Sequence, residues 1–168
     1  PLARLERIDW QPPSWVGQIE VVVASDVSSP LTGPSGTAAV YSPQKGADAG
    51  QVDLLEAAMV RYAAVLKRSL GVDIASLPGA GAAGGLGGGL VAFLGARIAS
   101  GFDIVAEATH LRERMARCDL VVTGEGRFDS QSTLGKVTGR VMAMAEELGK
   151  ACTVLAGTAD ERNVRVRT

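Results

Sequence analysis

Short apolar runs alternate with longer stretches of helical periodicity along this chain. The β-branched run 19–24 and the apolar runs 120–123 and 152–156 have the length of strands and are short for helices. Four stretches carry apolar residues every three or four positions and are predicted to be helices, at 54–66, 90–98, 104–115 and 134–148. Because helices alternate with strands, the pattern predicts an α/β fold, with the last strand returning parallel to the one before it.

Polar residues and glycines predict where these helices begin and end. Asp53 is the predicted N-cap of the first long helix, Glu56 completes a capping box, and Gly71 ends the helix. A second helix is expected to end near Gly101, and Asp103 is the predicted N-cap of the third.

Candidate chemistry collects after the predicted strands, which is where an α/β protein builds a site. Asp26 follows the first strand directly, and a long loop is predicted at 30–47. The second strand leads into Gly124 and Gly126, where turns closed to other residues are expected. A group of polar side chains follows within a few positions: Glu125, Arg127, Asp129, Ser130, Gln131, Ser132 and Lys136.

Length, composition and charge exclude several classes of protein. With 168 residues, 46% hydrophobic and 21% charged, the chain suits one globular domain or pieces of two. A net charge of −1 and the lack of a basic stripe argue against a nucleic-acid or membrane-surface partner. No apolar run has the length of a membrane span, and no signal segment is recognisable. Cys118 and Cys152 flank predicted strands and are expected to be core thiols, so we expect a cytoplasmic protein.

Seven glycines lie from Gly79 to Gly89. Because glycine weakens helices and strands, this concentration indicates that the backbone of the segment has a function that requires glycine. Gly79, Gly81 and Gly84 form a G-x-G-x-x-G pattern, and Asp103 follows nineteen residues later, which raises a dinucleotide site. However, Asp103 opens a helix rather than ending a second strand, and the stretch before the glycines is a poor first strand. A nest of backbone N–H groups that binds phosphate or carboxylate is favoured, with close helix packing as the alternative.

Three motifs, in this order and spacing, resemble the glycerate kinase family of the bacterial type. Residues 123–136 match T-G-E-G-R-x-D-x-Q-S/T-x-x-G-K at every specified position. Residues 25–33 read S-D-V-S-S-P-L-T-G and are followed by Gly36 and by P-Q-K-G-A at 43–47. The family has C-D-V-x-N-P-L-x-G-x-x-G-A there, and then G-P-Q-K-G-A. Residues 77–86 read L-P-G-A-G-A-A-G-G-L, where the family has V-P-G-A-G-A-A-G-G-M. The resemblance covers nearly the whole chain up to Gly157.

The sequence departs from the family pattern at several positions outside the glycine motif as well. The family has Cys, Asn, Phe, Gly and Pro where this chain has Ser25, Ser29, Tyr41, Ser42 and Thr138. The departures at Ser29 and Thr138 bear on the substrate contacts.

The resemblance implies an ATP-dependent small-molecule kinase. Such an enzyme transfers the γ-phosphoryl group of ATP to a hydroxyl of D-glycerate, with Mg²⁺, and forms phosphoglycerate. The implied fold is a parallel-sheet, Rossmann-like portion at 119–168 and part of a second, inserted α/β domain at 1–118 that carries the glycine-rich loop. The site is expected in the cleft between the two domains.

Phosphoryl transfer requires carboxylates for proton acceptance or Mg²⁺ binding and cations for the phosphates. The candidate catalytic residues are Asp129, Glu125, Arg127 and Lys136, and the metal candidates are Asp26, Glu125 and Asp129. Arg127, Ser130 and Ser132 suit the carboxylate and hydroxyls of glycerate, whereas Lys45, Lys136 and the glycine amides suit phosphates. The candidate substrate- and phosphate-binding residues are Asp26, Lys45, Gly79, Gly81, Gly84, Gly85, Gly124, Gly126, Ser130 and Ser132.

Structural roles remain open for several of these residues. Asp129 or Ser132 is also suited to cap the helix that follows. Lys136 is not part of a Walker A motif, because Ser130 stands where its first glycine belongs, and an exposed lysine is the alternative to a phosphate contact. His110, the only histidine, is expected on a helix surface.

A second hypothesis is that the chain is a non-catalytic portion of such a kinase that only binds a ligand or partner. The chain begins at Pro1 and lacks the N-terminal motifs of the family, so we expect an internal piece with uncovered apolar faces. A homo-oligomer is compatible with this hypothesis.

Overall fold

The computed structural model of the chain describes residues 2–128 and 137–159. The chain forms two compact units, Pro1–Ser100 and Gly101–Thr168. In each unit helices accompany one pair of parallel strands, which confirms the predicted α/β class.

The first unit contains two short strands and three helices. Strand β1 pairs with β2 in parallel, with Val23 opposite Ile98. Short 3-10 turns at Leu2–Arg4 and Pro43–Lys45 accompany them. In chain order the elements are β1 (Val22–Ala24), α1 (Thr37–Tyr41), α2 (Ala49–Leu70), α3 (Ala82–Leu94) and β2 (Arg97–Ala99).

Helix α2 begins one turn earlier than its sequence predicted. The Asp48 carboxylate accepts the Gln51 amide at 2.8 Å, and the Gln51 side chain accepts the Asp48 amide at 3.0 Å. This reciprocal pair is a capping box, so the assignment of the cap to Asp53 and Glu56 was wrong. The predicted end is confirmed, because Gly71 follows the last turn in the left-handed conformation, with φ +74°.

The core of the first unit forms where α2 packs against the loops around it. Leu31, Leu66 and Ile74 are fully buried there, together with Ala63 and Ala80. By contrast, Leu54, which the sequence placed in the apolar stripe of α2, is 72% exposed.

The N-terminal segment of the chain is held on the outside of α2. Arg61 donates to the Leu5 carbonyl at 2.6 Å, and Arg68 donates to the Glu6 carbonyl at 2.6 Å.

Strand β2 was not recognised in the sequence, where the second helix was expected to continue to Gly101. Gly95 ends α3 with φ +64°, and two residues later, at Arg97, the chain already runs beside β1. A strand of three residues has too few positions for a period-2 pattern, which explains the wrong prediction.

In the described part of the second unit, three helices accompany a longer strand pair. Strands β3 and β4 are parallel, with Leu120 opposite Ala151 and Phe128 opposite Ala159, which confirms the predicted parallel return. In chain order the elements are α4 (Gly101–Ala108), α5 (Leu111–Ala116), β3 (Leu120–Phe128), α6 (Val137–Glu147) and β4 (Ala151–Ala159).

One face of the β3–β4 pair packs on a core, and the other face is open. Phe102, Met115, Val121, Val141 and Ala145 form the buried cluster. Side chains alternate between the two faces of a strand. The opposite face therefore carries the exposed residues Leu120, Val122 and Leu155, at 52%, 57% and 64% exposure.

The single helix predicted before β3 differs from the structure. The single helix expected over 104–115 is broken at His110, which has φ +52° and precedes α5 instead of lying within a helix. The two compact units separate between Ser100 and Gly101. The physical reason is that Phe102 of α4 and Met115 of α5 pack with Val121 of β3. The correspondence of 1–118 and 119–168 to domains of a kinase stays a prediction.

None of the helices in 2–128 and 137–159 has the length and apolar character needed to cross a membrane.

Candidate functional site

Asp26 lies at the carboxyl end of β1, as predicted from the sequence. The Ser25 amide donates to the Ala99 carbonyl at 2.9 Å and so extends the ladder between β1 and β2 by one bond. Directly after it, the Ser100 hydroxyl donates to the Asp26 carboxylate at 3.0 Å. The carboxylate side chain is exposed, and it stands where α/β proteins commonly bind ligands.

The glycine segment, residues 79–85, packs closely against the chain that follows β1. The Gly81 amide donates to the Ser29 carbonyl at 3.0 Å. A Cβ at Gly81 would overlap the Pro30 carbonyl oxygen, and one at Gly79 would lie 3.3 Å from the Val27 carbonyl oxygen. The backbones approach so closely that no side chain fits between them, which is one physical reason for glycine here.

The glycine segment contains a left-handed turn of three consecutive residues. Ala83, Gly84 and Gly85 have φ values of +51°, +74° and +99°. The amides of Gly84 and Gly85 both donate to the Gly81 carbonyl, at 3.2 and 3.3 Å. The left-handed conformation costs an L-residue such as Ala83 roughly 1–2 kcal/mol, so surrounding contacts must maintain it.

Several amides of this segment, and that of Gly88 after it, donate to carbonyls inside the protein. Gly81, Gly84 and Gly85 donate to protein carbonyls, and the Gly88 amide donates to the Ala80 carbonyl at 2.9 Å. Close packing therefore accounts for these glycines in the described conformation. Phosphate binding by the same amides stays a prediction, and it would require these bonds to open.

The structure does not have the arrangement of strand, glycine turn and acid that a dinucleotide-binding site requires. The stretch 72–77 before the glycine segment is not a strand. Asp103 lies in the first turn of α4 instead of at the end of a strand. A dinucleotide fingerprint needs both features.

A pocket of about 80 Å³ brings together two of the predicted phosphate-binding residues, Lys45 and Gly84. Lys45 reaches it because α1 and the 3-10 turn at Pro43–Lys45 lie within the stretch that was predicted to be a loop. The other lining residues come from α1, from the residue that follows it and from α2: Thr37, Ala38, Tyr41, Ser42, Leu55 and Met59. The lining combines one cation and several hydroxyls with an apolar floor, a composition that is common in small-ligand sites.

Sequence reasoning missed Thr37, Tyr41 and Glu56. Thr37 is 4% exposed, and its hydroxyl donates to the Gly81 carbonyl at 3.1 Å. The Glu56 carboxylate accepts the Gly33 amide at 2.6 Å, and its second oxygen is buried without a partner in the described residues. No local pattern marks these residues, because their partners lie 12 to 44 positions away along the chain.

Two departures from the family pattern are in contact. The Ser29 hydroxyl and the Tyr41 hydroxyl lie 3.2 Å apart, and Tyr41 and Ser42 both line the pocket. The departures at Tyr41 and Ser42 therefore both change the lining of the pocket, and the departure at Ser29 changes the group that Tyr41 contacts.

In the second unit, the motif segment begins as strand and not as loop. Strand β3 continues through Gly124 and Gly126 to Phe128, and neither glycine has a positive φ, so the expected turns at these positions were wrong. The reason is the pairing with β4. A Cβ at Gly124 would lie 2.6 Å from the Leu155 carbonyl oxygen.

Glu125 has the chemistry of a candidate ligand for a cation. Its Oε1 atom is buried, and no hydrogen-bond partner for it lies in the described residues. An unpartnered buried carboxylate oxygen costs free energy, so a cation or donor at this atom would be stabilising. Arg127 lies two positions further on the same face of β3.

Thr138 at the start of α6 is buried, and its hydroxyl donates to the Gly124 carbonyl at 3.4 Å.

The remaining predicted site residues lie outside the described residues. They are Asp129, Ser130, Ser132 and Lys136. Among the candidate carboxylates, the structure therefore describes Asp26 in the first unit and Glu125 in the second.

The described carboxylates suit Mg²⁺ as single ligands. In 2–128 and 137–159, no three His, Cys, Asp or Glu side chains gather in a group that could hold a metal ion. Mg²⁺ in nucleotide sites is usually bound by one or two carboxylates together with substrate phosphates and water. Asp26, which is exposed, and Glu125, with its unpartnered oxygen, fit that requirement.

The fold and these residues define an α/β protein that carries Asp26 after β1, Glu125 within β3, and Lys45 and Gly84 in one pocket. The chain belongs to the glycerate kinase family, whose model matches residues 1–168.

Named relatives and a solved structure agree with this family. The chain is 46% identical over 136 residues to a glycerate 2-kinase of Escherichia coli, covering 81% of the chain and 36% of that protein. It is 42% identical over 143 residues to a glycerate kinase of Halalkalibacterium halodurans, covering 85% of the chain and 38% of the relative. The crystal structure of a protein assigned as glycerate kinase 2 from Salmonella typhimurium superposes with a TM-score of 0.78 and 43% identity, covering 94% of this chain and 42% of that one.

An uncharacterized protein of Mycobacterium tuberculosis is 49% identical over 142 residues, covering 84% of the chain and 37% of the relative. The chain therefore spans between 36% and 38% of the length of these curated relatives.

Proposed function

We propose that the full-length protein containing this chain is a glycerate kinase that transfers the γ-phosphoryl group of ATP to a hydroxyl of D-glycerate. The observation that carries the proposal is the family match over residues 1–168, which includes both the Lys45 pocket and the 123–136 motif. Relatives named glycerate kinase at 42% and 46% identity add support.

In the proposed reaction, a hydroxyl oxygen of glycerate forms a bond to the γ-phosphorus. The bond between that phosphorus and the oxygen bridging to the β-phosphate breaks, and ADP leaves. The hydroxyl proton passes to a carboxylate, and phosphoglycerate remains. Because such a transition state needs mainly positioning and charge neutralisation, lysine, arginine and carboxylate side chains are sufficient protein groups.

In the first unit, we assign Lys45 to the nucleotide phosphates. Its ammonium lies on an exposed side chain at the rim of the pocket that Gly84 also lines, so it can act as a point charge without a desolvation cost. Asp26 is a candidate for holding Mg²⁺, which supplies positive charge against the phosphates when bound.

In the second unit, we assign glycerate and the proton transfer to the motif that begins on β3. Arg127 suits the glycerate carboxylate, together with Ser130 and Ser132, because a guanidinium binds a carboxylate through two parallel bonds. Glu125 and Asp129 are the candidates for proton acceptance or metal binding, and Lys136 is a candidate for the phosphates. The cleft implied by the family resemblance and a cytoplasmic reaction are parts of the same proposal.

A coupled assay of ADP formation tests the proposed function. The product of the complete reading frame that contains this sequence should form ADP only when D-glycerate, ATP and Mg²⁺ are all present. A Lys45→Met variant should raise the KM for ATP and leave the thermal midpoint unchanged, because the side chain is exposed. Efficient phosphorylation of an unrelated acceptor, with glycerate inert, would refute the proposal.

For the 168-residue chain by itself, we propose ligand binding without turnover. The supporting observation is the open apolar face of the β3–β4 pair, since parallel strands normally have both faces covered. Glycerate kinase turnover by the isolated chain would contradict this second proposal.

A further inference from the structure

The carbonyl oxygen of Gly81 accepts three hydrogen bonds. Two come from within the left-handed turn, from the amides of Gly84 and Gly85 at 3.2 and 3.3 Å. The third comes from a distant part of the chain, the hydroxyl of Thr37 at 3.1 Å. The turn and the first residue of α1 therefore share one acceptor.

Thr37 is buried, so its hydroxyl has little access to water in place of this bond. The side chain is 4% exposed, and a buried hydroxyl without a partner would be destabilising. On the other side of the same glycine, the Gly81 amide donates to the Ser29 carbonyl at 3.0 Å. Thr37 and Ser29 thus hold Gly81 from two sides and tie the turn to the segment that carries α1.

The held turn forms part of the pocket. Gly84, the middle residue of the left-handed turn, lines the pocket together with Thr37 and Lys45. A strained turn of this kind keeps its shape only when its surroundings determine it. Loss of the bond from Thr37 would therefore alter the wall of the pocket and leave the lysine in place.

We propose that Thr37 is a positioning residue, whose hydroxyl fixes the left-handed turn at 83–85 so that the Lys45 pocket has the shape required to bind the nucleotide phosphates. This inference rests on the proposed kinase function for its substrate and on the described hydrogen bonds for its geometry.

The test compares three variants of the full-length protein. Thr37→Val keeps the branched shape and removes the hydroxyl, and Thr37→Ser keeps the hydroxyl and removes a methyl group. Thr32→Val is the matched control, because the Thr32 hydroxyl also donates to a loop carbonyl, but to that of Ala75, at 3.1 Å, and not to that of Gly81.

The expected result is a change in the KM for ATP without a matching change in the KM for glycerate. Thr37→Val should raise the KM for ATP by roughly tenfold, the scale of one lost hydrogen bond, with the KM for glycerate within about twofold. Thr37→Ser and Thr32→Val should both stay within about twofold of the unchanged protein in the KM for ATP. A structural role alone would lower the amount of active enzyme and would not separate the two KM values.

Hydrogen exchange of the Gly84 and Gly85 amides gives a second readout that needs no activity. Exchange of these amides should accelerate by roughly tenfold in Thr37→Val and remain unchanged in Thr32→Val, because local opening exposes an amide to solvent. If Thr37→Val does not fold, Thr37→Ala is measured in the same way.

Unaltered exchange in Thr37→Val, or equal losses in Thr37→Ser and Thr37→Val, would overturn the inference. A different outcome is faster Gly84 and Gly85 exchange in Thr37→Val when the unchanged full-length protein does not phosphorylate glycerate. That outcome would refute the proposed function, but Thr37 would still be shown to hold the turn.

Discussion

The hydroxyl groups of Ser29 and Tyr41 lie 3.2 Å apart and connect the segment after β1 to the end of α1. Ser29 also accepts the Gly81 amide through its carbonyl, and Tyr41 lines the pocket that contains Lys45. One side-chain contact thus joins the glycine segment to the pocket wall.

The Ser29–Tyr41 contact should be measurable as a coupling energy. In a double-mutant cycle with Ser29→Ala and Tyr41→Phe, we expect a coupling of about 0.5–1.5 kcal/mol in the free energy of unfolding, the net contribution of a hydrogen bond. Urea denaturation supplies the four values. Ser29→Ala combined with Tyr62→Phe serves as the control and should be additive. A coupling near zero would show that the two hydroxyls do not interact.

Gly81→Ala should destabilise the protein strongly. The added Cβ would overlap the Pro30 carbonyl oxygen and lie 2.9 Å from that of Ser29, and both are backbone atoms that cannot move aside cheaply. We expect a loss of about 1–3 kcal/mol, measured by thermal or urea denaturation.

Gly50→Ala is the control for that substitution and should act in the opposite direction. Gly50 lies in the first turn of α2, where a Cβ would meet only the Asp48 carboxylate at 3.5 Å. Alanine is favoured over glycine in a helix by roughly 0.5–1 kcal/mol, so a small gain in stability is expected. Equal effects of the two substitutions would contradict the close approach at Gly81.

Asp129→Asn tests the proposed chemistry of the 123–136 motif. The substitution keeps size and capping ability and removes the charge, so a base or metal ligand should lose ~10²–10⁴-fold in turnover with little change in stability. The measurement is steady-state turnover of the full-length protein beside its thermal melt. Near-normal turnover would reduce Asp129 to a helix cap. Glu125→Gln, made in parallel, separates the roles of the two carboxylates.

Alkylation should be slow at Cys152 in the folded chain. Burial raises the pKa of the Cys152 thiol because the charged thiolate loses solvation. At any pH below that pKa the thiolate fraction is therefore smaller than in the unfolded chain, and the alkylation rate reaches its plateau only at higher pH. Iodoacetamide labelling at about pH 8, with and without urea, followed by mass spectrometry of the peptide, checks this. Equal rates in both conditions would show that the thiol is not buried.

The open face of the β3–β4 pair should promote association of the isolated chain. Val122 and Leu155 are 57% and 64% exposed on that face, and contiguous apolar surface of this kind favours self-association. Val122→Lys together with Leu155→Lys should shift sedimentation towards the monomer. Leu54→Lys, on an equally exposed position of α2, is the control and should leave association unchanged. A chain that is already monomeric before substitution would refute this prediction.

Local patterns were sufficient to predict several parts of the fold. The alternation of apolar runs and helical periodicity predicted the α/β class, the parallel return of β4 and the position of Asp26 beyond β1. Gly71 was identified as a helix end because its left-handed conformation follows from its own lack of a side chain. The motifs also predicted the family, since each is a continuous stretch of sequence.

Other elements depended on partners that lie far away along the chain. Strand β3 extends through Gly124 and Gly126 because β4 supplies hydrogen bonds to it, and the motif alone resembled a turn. Strand β2 exists because β1 lies beside it, and its three residues carry no periodicity of their own.

The candidate site divides in the same way between sequence and tertiary structure. The sequence by itself determined which residue types are present: Lys45, the acids and the glycines, because these follow from the motifs. Only the tertiary structure decided that Lys45 and Gly84 line one pocket and that Thr37 bonds to Gly81. The physical reason is that hydrogen bonds and packing act between neighbours in space, and 44 positions of chain separate Thr37 from the carbonyl that it holds.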